Sequence, residues 1–395
     1  MIPKYRKVHS RFKLNGLGYS EAELHEVAYS LIKEGAPYEK QIGDFLLYWL
    51  DGSESILVQT SGSTGTPKTL ALKKRHMVNS AFATGDFFGL GPGDSALLCL
   101  PVNYIAGKMM LVRAMVLGLE LDYTAPSSDP LEGVAPRYNF SAMVPLQLER
   151  TIKNIGRIRT LIVGGAPLSH KLREKLGNQL KQIRSRMQSQ GQYGLLGTPI
   201  RPSDRESGFV TDIYETYGMT ETCTHIALKK VGGSLDAKKE TSQSYFKTLP
   251  EISVSLDTRG CLVVHAQNIL DAPVVTNDLV HLISKTEFEY LGRYDNVVNS
   301  GGVKLFPEQL EAHLEPLMDS RFFLAGLPDD RLGQELVLVV EGNPDKTELS
   351  SNIESLSSLE RFQKPRKIFN VDEFAETKSG KIKRSETIGK ILYPN

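Results

Sequence analysis

Residues Thr60-Ser61-Gly62-Ser63-Thr64-Gly65-Thr66-Pro67-Lys68 gather glycines, hydroxyl side chains and a lysine in one unbroken string. Glycines let backbone amides turn inward as an anion nest. Hydroxyls add donors, and the Lys68 ammonium is a compact charge suited to phosphate. The string follows the apolar run Ile56-Leu57-Val58. A Walker A loop needs Gly directly before its Lys. Pro67 stands there instead, so a loop opening onto a helix N-terminus is not expected. Read alone, the string also fits a plain Ser/Gly/Thr turn between a strand and a helix. Two later segments carry reactive residues: Tyr217-Gly218-Met219-Thr220-Glu221-Thr222 and Thr377-Lys378-Ser379-Gly380-Lys381-Ile382-Lys383-Arg384. In isolation Glu221 reads as a solvated loop acid and Lys381 as one more cation in a basic tail.

Taken in order, these segments resemble the signatures of the adenylate-forming superfamily. It includes acyl- and aryl-CoA ligases, adenylation domains of peptide synthetases and firefly luciferases. The string at 60–68 is similar to the family's phosphate loop, with Thr60, Ser61, Gly62, Ser63, Thr64, Gly65 and Lys68 implied to bind ATP. Gly164-Gly165-Ala166-Pro167 looks like the segment beside the adenine and the acyl group. In Tyr217-Gly218-Met219-Thr220-Glu221, the resemblance puts the tyrosine and its neighbours beside adenine, Thr220 on the α-phosphate and Glu221 on Mg²⁺. A hard carboxylate suits Mg²⁺ held mainly by phosphate and water. Thr276-Asn277-Asp278 resembles a Thr-Gly-Asp signature whose Asp takes the ribose hydroxyls. Asn277 replaces the glycine, and Asn tolerates the left-handed conformation. The resemblance makes Arg293 a ribose or phosphate ligand, Asp295 a hinge, Gly301-Gly302 the thiol-binding turn and Lys381 the catalytic lysine. Ala375-Glu376 departs from the usual Pro-Lys before that last loop.

The resemblance covers residues 55 to 395 and implies an AMP-forming acid–thiol ligase that uses ATP, Mg²⁺ and CoA. A carboxylate attacks the α-phosphorus, pyrophosphate leaves, and a thiol then takes the acyl group. Two anions must meet, so charge neutralisation and positioning dominate the first step. Leu100-Pro101-Val102-Asn103-Tyr104-Ile105-Ala106-Gly107 is similar to the family's Pro-x-x-His-x-x-Gly, with Tyr104 and Gly107 lining the acyl pocket. The strings look most like those of o-succinylbenzoate–CoA ligases of menaquinone biosynthesis. That acid has a second carboxylate, which needs a cation once desolvated; Lys108 and Arg113 are the candidates. Two other readings stay open: an adenylation enzyme loading a carrier-protein phosphopantetheine, and a nucleotide-binding pseudoenzyme. The loop begins at residue 60, earlier than in typical members, so the outer part of the first subdomain is expected to be missing.

These segments need rigid elements beneath them. Apolar runs at 56–58, 96–100, 142–144 and 161–163 read as buried strands, with helical patterns at 109–117 and 168–183 between them. Such alternation predicts an α/β fold with helix-flanked sheets. Ser20-Glu21-Ala22-Glu23 is a capping box opening a helix that ends near Gly35. Residues 184–210, rich in Gln, Ser, Arg and Gly, read as an exposed insertion or mobile loop. The reading divides the chain into an adenylation domain, 1–293, and a small α+β domain, 294–395, that carries the lysine. Helices are expected from Pro307 and near 348–361, and strands at 297–298, 322–324 and 336–340. The net charge of +1 gives no call for nucleic acid or an anionic membrane, and leaves a homodimer open. Three scattered cysteines, Cys99, Cys223 and Cys261, argue for free thiols rather than a disulfide frame or zinc site. No secretory or membrane-spanning segment is apparent, so cytoplasm is the expected compartment.

Overall fold

The computed structural model describes residues 8–59, 69–189, 210–232, 244–377 and 381–392, without the side chains of 186–189. The phosphate string Thr60–Lys68 lies outside the described residues.

The chain opens on two antiparallel helices, Glu21–Glu34 and Pro37–Leu50. The expected capping box starts the first: the Glu23 amide donates to Ser20 Oγ at 3.3 Å, and Glu23 Oε2 accepts from the Ser20 amide at 2.7 Å. Trp49 and Phe45 of the second helix enter the main core. Lys74, fully buried at the start of helix Lys74–Phe88, donates to Asp51 Oδ1 at 2.6 Å and to the Asp51 carbonyl at 3.2 Å. That bond pulls the Asp51 carboxyl down to about 2 and fastens the N-terminal helix pair to the body of the protein.

Thirteen strands form one sheet among the described residues. In spatial order they are Ser253–Leu256, Cys261–His265, Val274–Ser284, Glu287–Arg293, Phe246–Thr248, His225–Gly232, Asp212–Gly218, Ile158–Val163, Tyr138–Met143, Ser95–Leu98, Glu120–Tyr123, Lys13–Leu14 and Leu17–Gly18. From Asp212–Gly218 to Lys13–Leu14 neighbours run parallel; from Asp212–Gly218 to Ser253–Leu256 they run antiparallel. The parallel half has apolar cores on both faces, as crossover helices require. Helix Ile105–Leu117 lies in the larger core and is buried almost all round. A separate antiparallel hairpin pairs Ser55–Gln59 with Thr69–Lys73.

The C-terminal residues build a second sheet from Val298–Ser300, Val303–Leu305, Phe322–Asp329, Gly333–Glu341 and Lys367–Val371. Helices Pro307–Leu314, Lys346–Ser355 and Arg384–Leu392 accompany it, with their own apolar clusters. Two expectations shift. The 184–210 segment is not loop from its start, because helix His170–Ser189 runs into it; residues 190–209 lie outside the described ones. The helix near 348–361 ends at Ser355. All three cysteines are buried and free. Among the described residues no helix is long and apolar enough to cross a membrane.

Candidate active site

Parallel strands point their carboxyl ends to the same edge, and in open α/β sheets ligands bind outside that edge. Three predicted segments leave the sheet there. Ser95–Leu98 leads into Leu100–Gly107, Ile158–Val163 into Gly164–Pro167, and Asp212–Gly218 into Met219–Glu221. Close backbone approach fixes the last of these. A Cβ on Gly218 would lie 2.4 Å from the Thr224 carbonyl oxygen and 2.5 Å from His225 Cα, both main-chain atoms. Gly218→Ala therefore forces the strand pair apart and shifts the Met219–Glu221 turn. The expected result is an exchange rate between ATP and pyrophosphate lower by on the order of 10²-fold, as for a misplacement of about 1 Å. An unchanged rate would show that this glycine positions nothing. Gly164 sits beside Thr216, and Gly165 has φ +89° in an exposed turn with Ala166 and Pro167.

Tyr217 is the centre of an aromatic wall. Its ring meets Phe288 edge-on at 5.1 Å and Phe246 at 5.8 Å, and Phe246 stacks on Phe288 at 5.6 Å. Its hydroxyl donates to Asp278 Oδ2 at 2.6 Å. Burial, and then the Asp278 charge, push the Tyr217 phenol far up, so it stays a donor. Asp278 pairs in register with Arg293 on the neighbouring strand, with Arg293 Nε 3.4 Å from Asp278 Oδ1. Tyr217, Asp278 and Arg293 thus form one cluster, with a carboxylate able to accept from paired hydroxyls. Asn277 is not in the left-handed region among the described residues, so its tolerance for that conformation is not called upon. Its side chain accepts from Arg259 Nη1 at 2.7 Å and donates to Asp295 Oδ2 at 2.9 Å.

Thr220–Thr222 forms a single 3-10 turn capped by Met219. After it, Cys223 adopts φ +62° and ψ −44°, and the Thr224 amide donates to the Thr222 carbonyl at 2.7 Å. This is a γ-turn of the strained hand, a conformation that clusters at functional sites. Burial pushes the Cys223 thiol up to about 12, which keeps it unreactive. Glu221 is exposed and lines a cavity with Ala71, Leu72, Lys73 and His76 of the strand and helix that follow the phosphate string. Gln59 and Thr69, which flank that string, are register partners. No group of three or more His, Cys, Asp or Glu gathers among the described residues. Asp271 lines the same cavity but is already paired with Lys73 and Arg75, so Glu221 fits Mg²⁺ carried on phosphates better than a resident metal site.

Of the acyl-pocket candidates, Tyr104 is half-exposed and caps helix Ile105–Leu117. Gly107 is buried, and a Cβ there would lie 2.3 Å from the Pro101 carbonyl. Lys108 and Arg113 do not meet. Lys108 Nζ donates to the carbonyls of Val102 and Asn103 at 2.6 and 3.2 Å and lies over the Phe45 ring. Desolvation lowers its ammonium to about 8. Arg113 is 1% exposed. It donates to Thr84 Oγ1 at 3.3 Å and Thr224 Oγ1 at 3.2 Å, and stands 3.4 Å from His225 Nδ1. Burial, then the Arg113 charge, drive the His225 pKa well below its ordinary value, so that ring is neutral. No carboxylate of the described residues pairs with Arg113.

In the C-terminal part, Asp295 sits exposed in the 3-10 turn Tyr294–Asn296. Gly301 and Gly302, at φ +58° and +83°, make the two-residue turn of hairpin Val298–Leu305. Lys381 is exposed at the neck of its loop, where its amide donates to Thr377 Oγ1 at 3.1 Å and its carbonyl accepts from the Thr377 amide at 2.9 Å. Lys381 is not part of the Tyr217–Asp278–Arg293 cluster.

Glu215, unnoticed in the sequence, is buried two residues before Tyr217 and pairs with Arg173 and Lys229. The signal was there: in Ile213-Tyr214-Glu215-Thr216-Tyr217 strand alternation puts this acid on the inward phase.

Residues 53–265, just over half of the chain, match the family described as AMP-binding enzyme. An acyl-CoA synthetase (AMP-forming)/AMP-acid ligase II-like protein from Dyadobacter fermentans is 32% identical, covering 93% of this chain and 98% of that one, with a TM-score of 0.56. The 2-succinylbenzoate–CoA ligase of Enterococcus faecalis is 22% identical over 84% of this chain and 68% of its own. The o-succinylbenzoate CoA synthetase of Bacillus subtilis, solved with ATP and magnesium ion, is 18% identical; it shares the fold at a TM-score of 0.65, over 92% of this chain and 82% of that one. With its signature segments leaving one sheet edge beside the Tyr217–Asp278 cluster, and with this match across its larger part, the chain belongs to the AMP-binding enzyme family.

Proposed function

We propose that this protein joins a carboxylic acid to AMP, releasing pyrophosphate, and then transfers the acyl group to CoA, releasing AMP. The observation that carries the reading is the convergence at one edge of an aromatic wall, a ribose-type carboxylate, and the Thr220–Glu221 turn beside the flanks of the phosphate string. Adenine would lie between Tyr217 and the Gly164–Pro167 turn. Asp278, held by Tyr217 and Arg293, would accept from the ribose hydroxyls. The amides and hydroxyls of Thr60–Thr64, with Gly62, Gly65 and Lys68, would cradle the phosphates. Glu221 would hold the Mg²⁺ that ATP brings, and the ion's charge offsets that of the phosphates. Thr220 would donate to the α-phosphate and Lys381 would bridge it to the acid.

For the second step the thiol must reach the carbonyl where Lys381 stood. We assign this to movement of residues 294–395 about Asp295, which is tethered to Asn277 of the large sheet, with the Gly301-Gly302 turn facing the thiol. Motion at an element boundary of this kind is a common hinge arrangement.

The acid is proposed to be 2-succinylbenzoate. A buried guanidinium with only neutral partners, none closer than 3.2 Å, is costly. Ser80 Oγ, one helical turn before Thr84, is buried without a hydrogen bond among the described residues. A substrate with a second carboxylate would give Arg113 a counter-charge. The test is pyrophosphate exchange over a panel of mono- and dicarboxylic acids, followed by thioester assays with CoA and a phosphopantetheine carrier. Exchange is expected with 2-succinylbenzoate above all, and thioester with CoA. No exchange with any acid would end the ligase reading, and a thioester only on the carrier would replace CoA as acceptor.

A further inference from the structure

Glu215 is a hub between the two segments that the proposed adenine site needs. Its side chain is 6% exposed. Oε1 accepts from the Leu168 amide at 3.0 Å, directly after the Gly164–Pro167 turn. Oε2 takes Arg173 Nη2 at 2.7 Å and Lys229 Nζ at 2.8 Å. Arg173 Nε also donates to the Leu168 carbonyl at 3.1 Å, so both polar groups of that peptide residue are held. Lys229 continues the chain in the other direction: its ammonium lies 4.6 Å from the centroid of Phe246, the ring packed against Tyr217. Glu215 is also the register partner of Val163, the residue before Gly164. Burial raises its carboxyl, and the two cations more than offset this, so it stays ionised below its ordinary range.

We propose that Glu215 is a positioning residue for adenylation: through Leu168 and Lys229 it sets the gap between the Gly164–Pro167 turn and the Tyr217 ring without touching the nucleotide. The proposal rests on the ATP-site reading above. Its physical basis is that a buried carboxylate with two cations and an amide is satisfied in one geometry only. Loss of the charge leaves two half-buried cations facing each other, so the turn and the wall must move apart.

The experiment uses the full chain with Glu215→Gln and Lys229→Met. Lys229→Met keeps the Glu215–Arg173 pair and the Leu168 bonds, and disturbs the Phe246 side alone. Both are assayed by pyrophosphate exchange for KM and kcat, with ATP and with GTP. The expected result is a KM for ATP raised about tenfold in each, with kcat and the KM for the acid changed less, and a weaker preference for ATP over GTP. A purely structural role would reduce the amount of active protein and leave KM and the nucleotide preference unchanged. Unchanged ATP KM and preference in Lys229→Met, whether or not Glu215→Gln folds, overturns the proposal. Absence of exchange in the unmodified protein would strike the ATP-site reading itself, a separate outcome.

Discussion

Lys381→Ala loses exchange between ATP and pyrophosphate by on the order of 10²–10³-fold while ATP still binds. A carboxylate and a triphosphate repel, and a positioned cation lowers the barrier only if it reaches both where they react. Lys381 is suited to this because it is exposed, its loop neck is closed by the two Thr377 bonds, and it forms no ion pair among the described residues. Its neighbour Lys383 is already paired with Glu386 at 2.9 Å. Lys381→Arg is expected not to rescue, because a planar fork does not replace a compact ammonium. ATP affinity measured by calorimetry should change little, since the other groups proposed to hold the triphosphate, Thr60–Lys68, Thr220 and Glu221, belong to the larger part of the protein. CoA transfer from a pre-formed acyl-adenylate should survive as well. Exchange near the unmodified rate would remove Lys381 from the mechanism.

Arg113→Met should separate activity from stability. For 2-succinylbenzoate kcat/KM is expected to fall by on the order of 10²–10³-fold, corresponding to about 3–4 kcal/mol for a buried charge pair that loses one partner. For benzoate, which lacks the second carboxylate, it should change by less than about fivefold, because no ion pair is lost. The thermal midpoint without substrate should hold or rise, since a desolvated cation with neutral partners is replaced by an apolar side chain of similar length. His225 loses one of the two causes of its depressed pKa, but burial, the larger one, remains, so the ring stays neutral. An equal fall for both acids would make Arg113 a structural residue and return the identity of the acid to an open question. Lys108 carries no such prediction, because its ammonium already ties the Val102 and Asn103 carbonyls.

The two sides of the site differ in how far they could be read from residue order. Gly218 and Tyr217 were legible because a motif names residues whose local chemistry is unusual. The strands beneath them were legible because short apolar runs between helical patterns leave little choice of architecture. Asn277 was read through its backbone tolerance, yet it acts through its side chain, and that depends on Arg259 and Asp295 arriving from turns between other strands. Lys108 and Arg113, named together as cations for a second carboxylate, lie apart for a similar reason. Five positions apart on a helix, the two side chains leave it in different directions, one toward Phe45 and one toward Thr224.

From the sequence came the ordered motifs, whose family resemblance implied the reaction class, and the succession of elements; both are local features, the type of a side chain, its neighbours along the chain and the period of apolar residues. Which groups would meet was decided by the tertiary structure. Glu215 finds Arg173 42 residues before it and Lys229 on the adjacent strand; Arg113 finds Thr224 and His225 more than a hundred residues on. The physical reason is range. Backbone preferences and motif chemistry act within a few residues, whereas the energy of a buried charge depends on its whole surroundings, which exist only once distant strands have come into register.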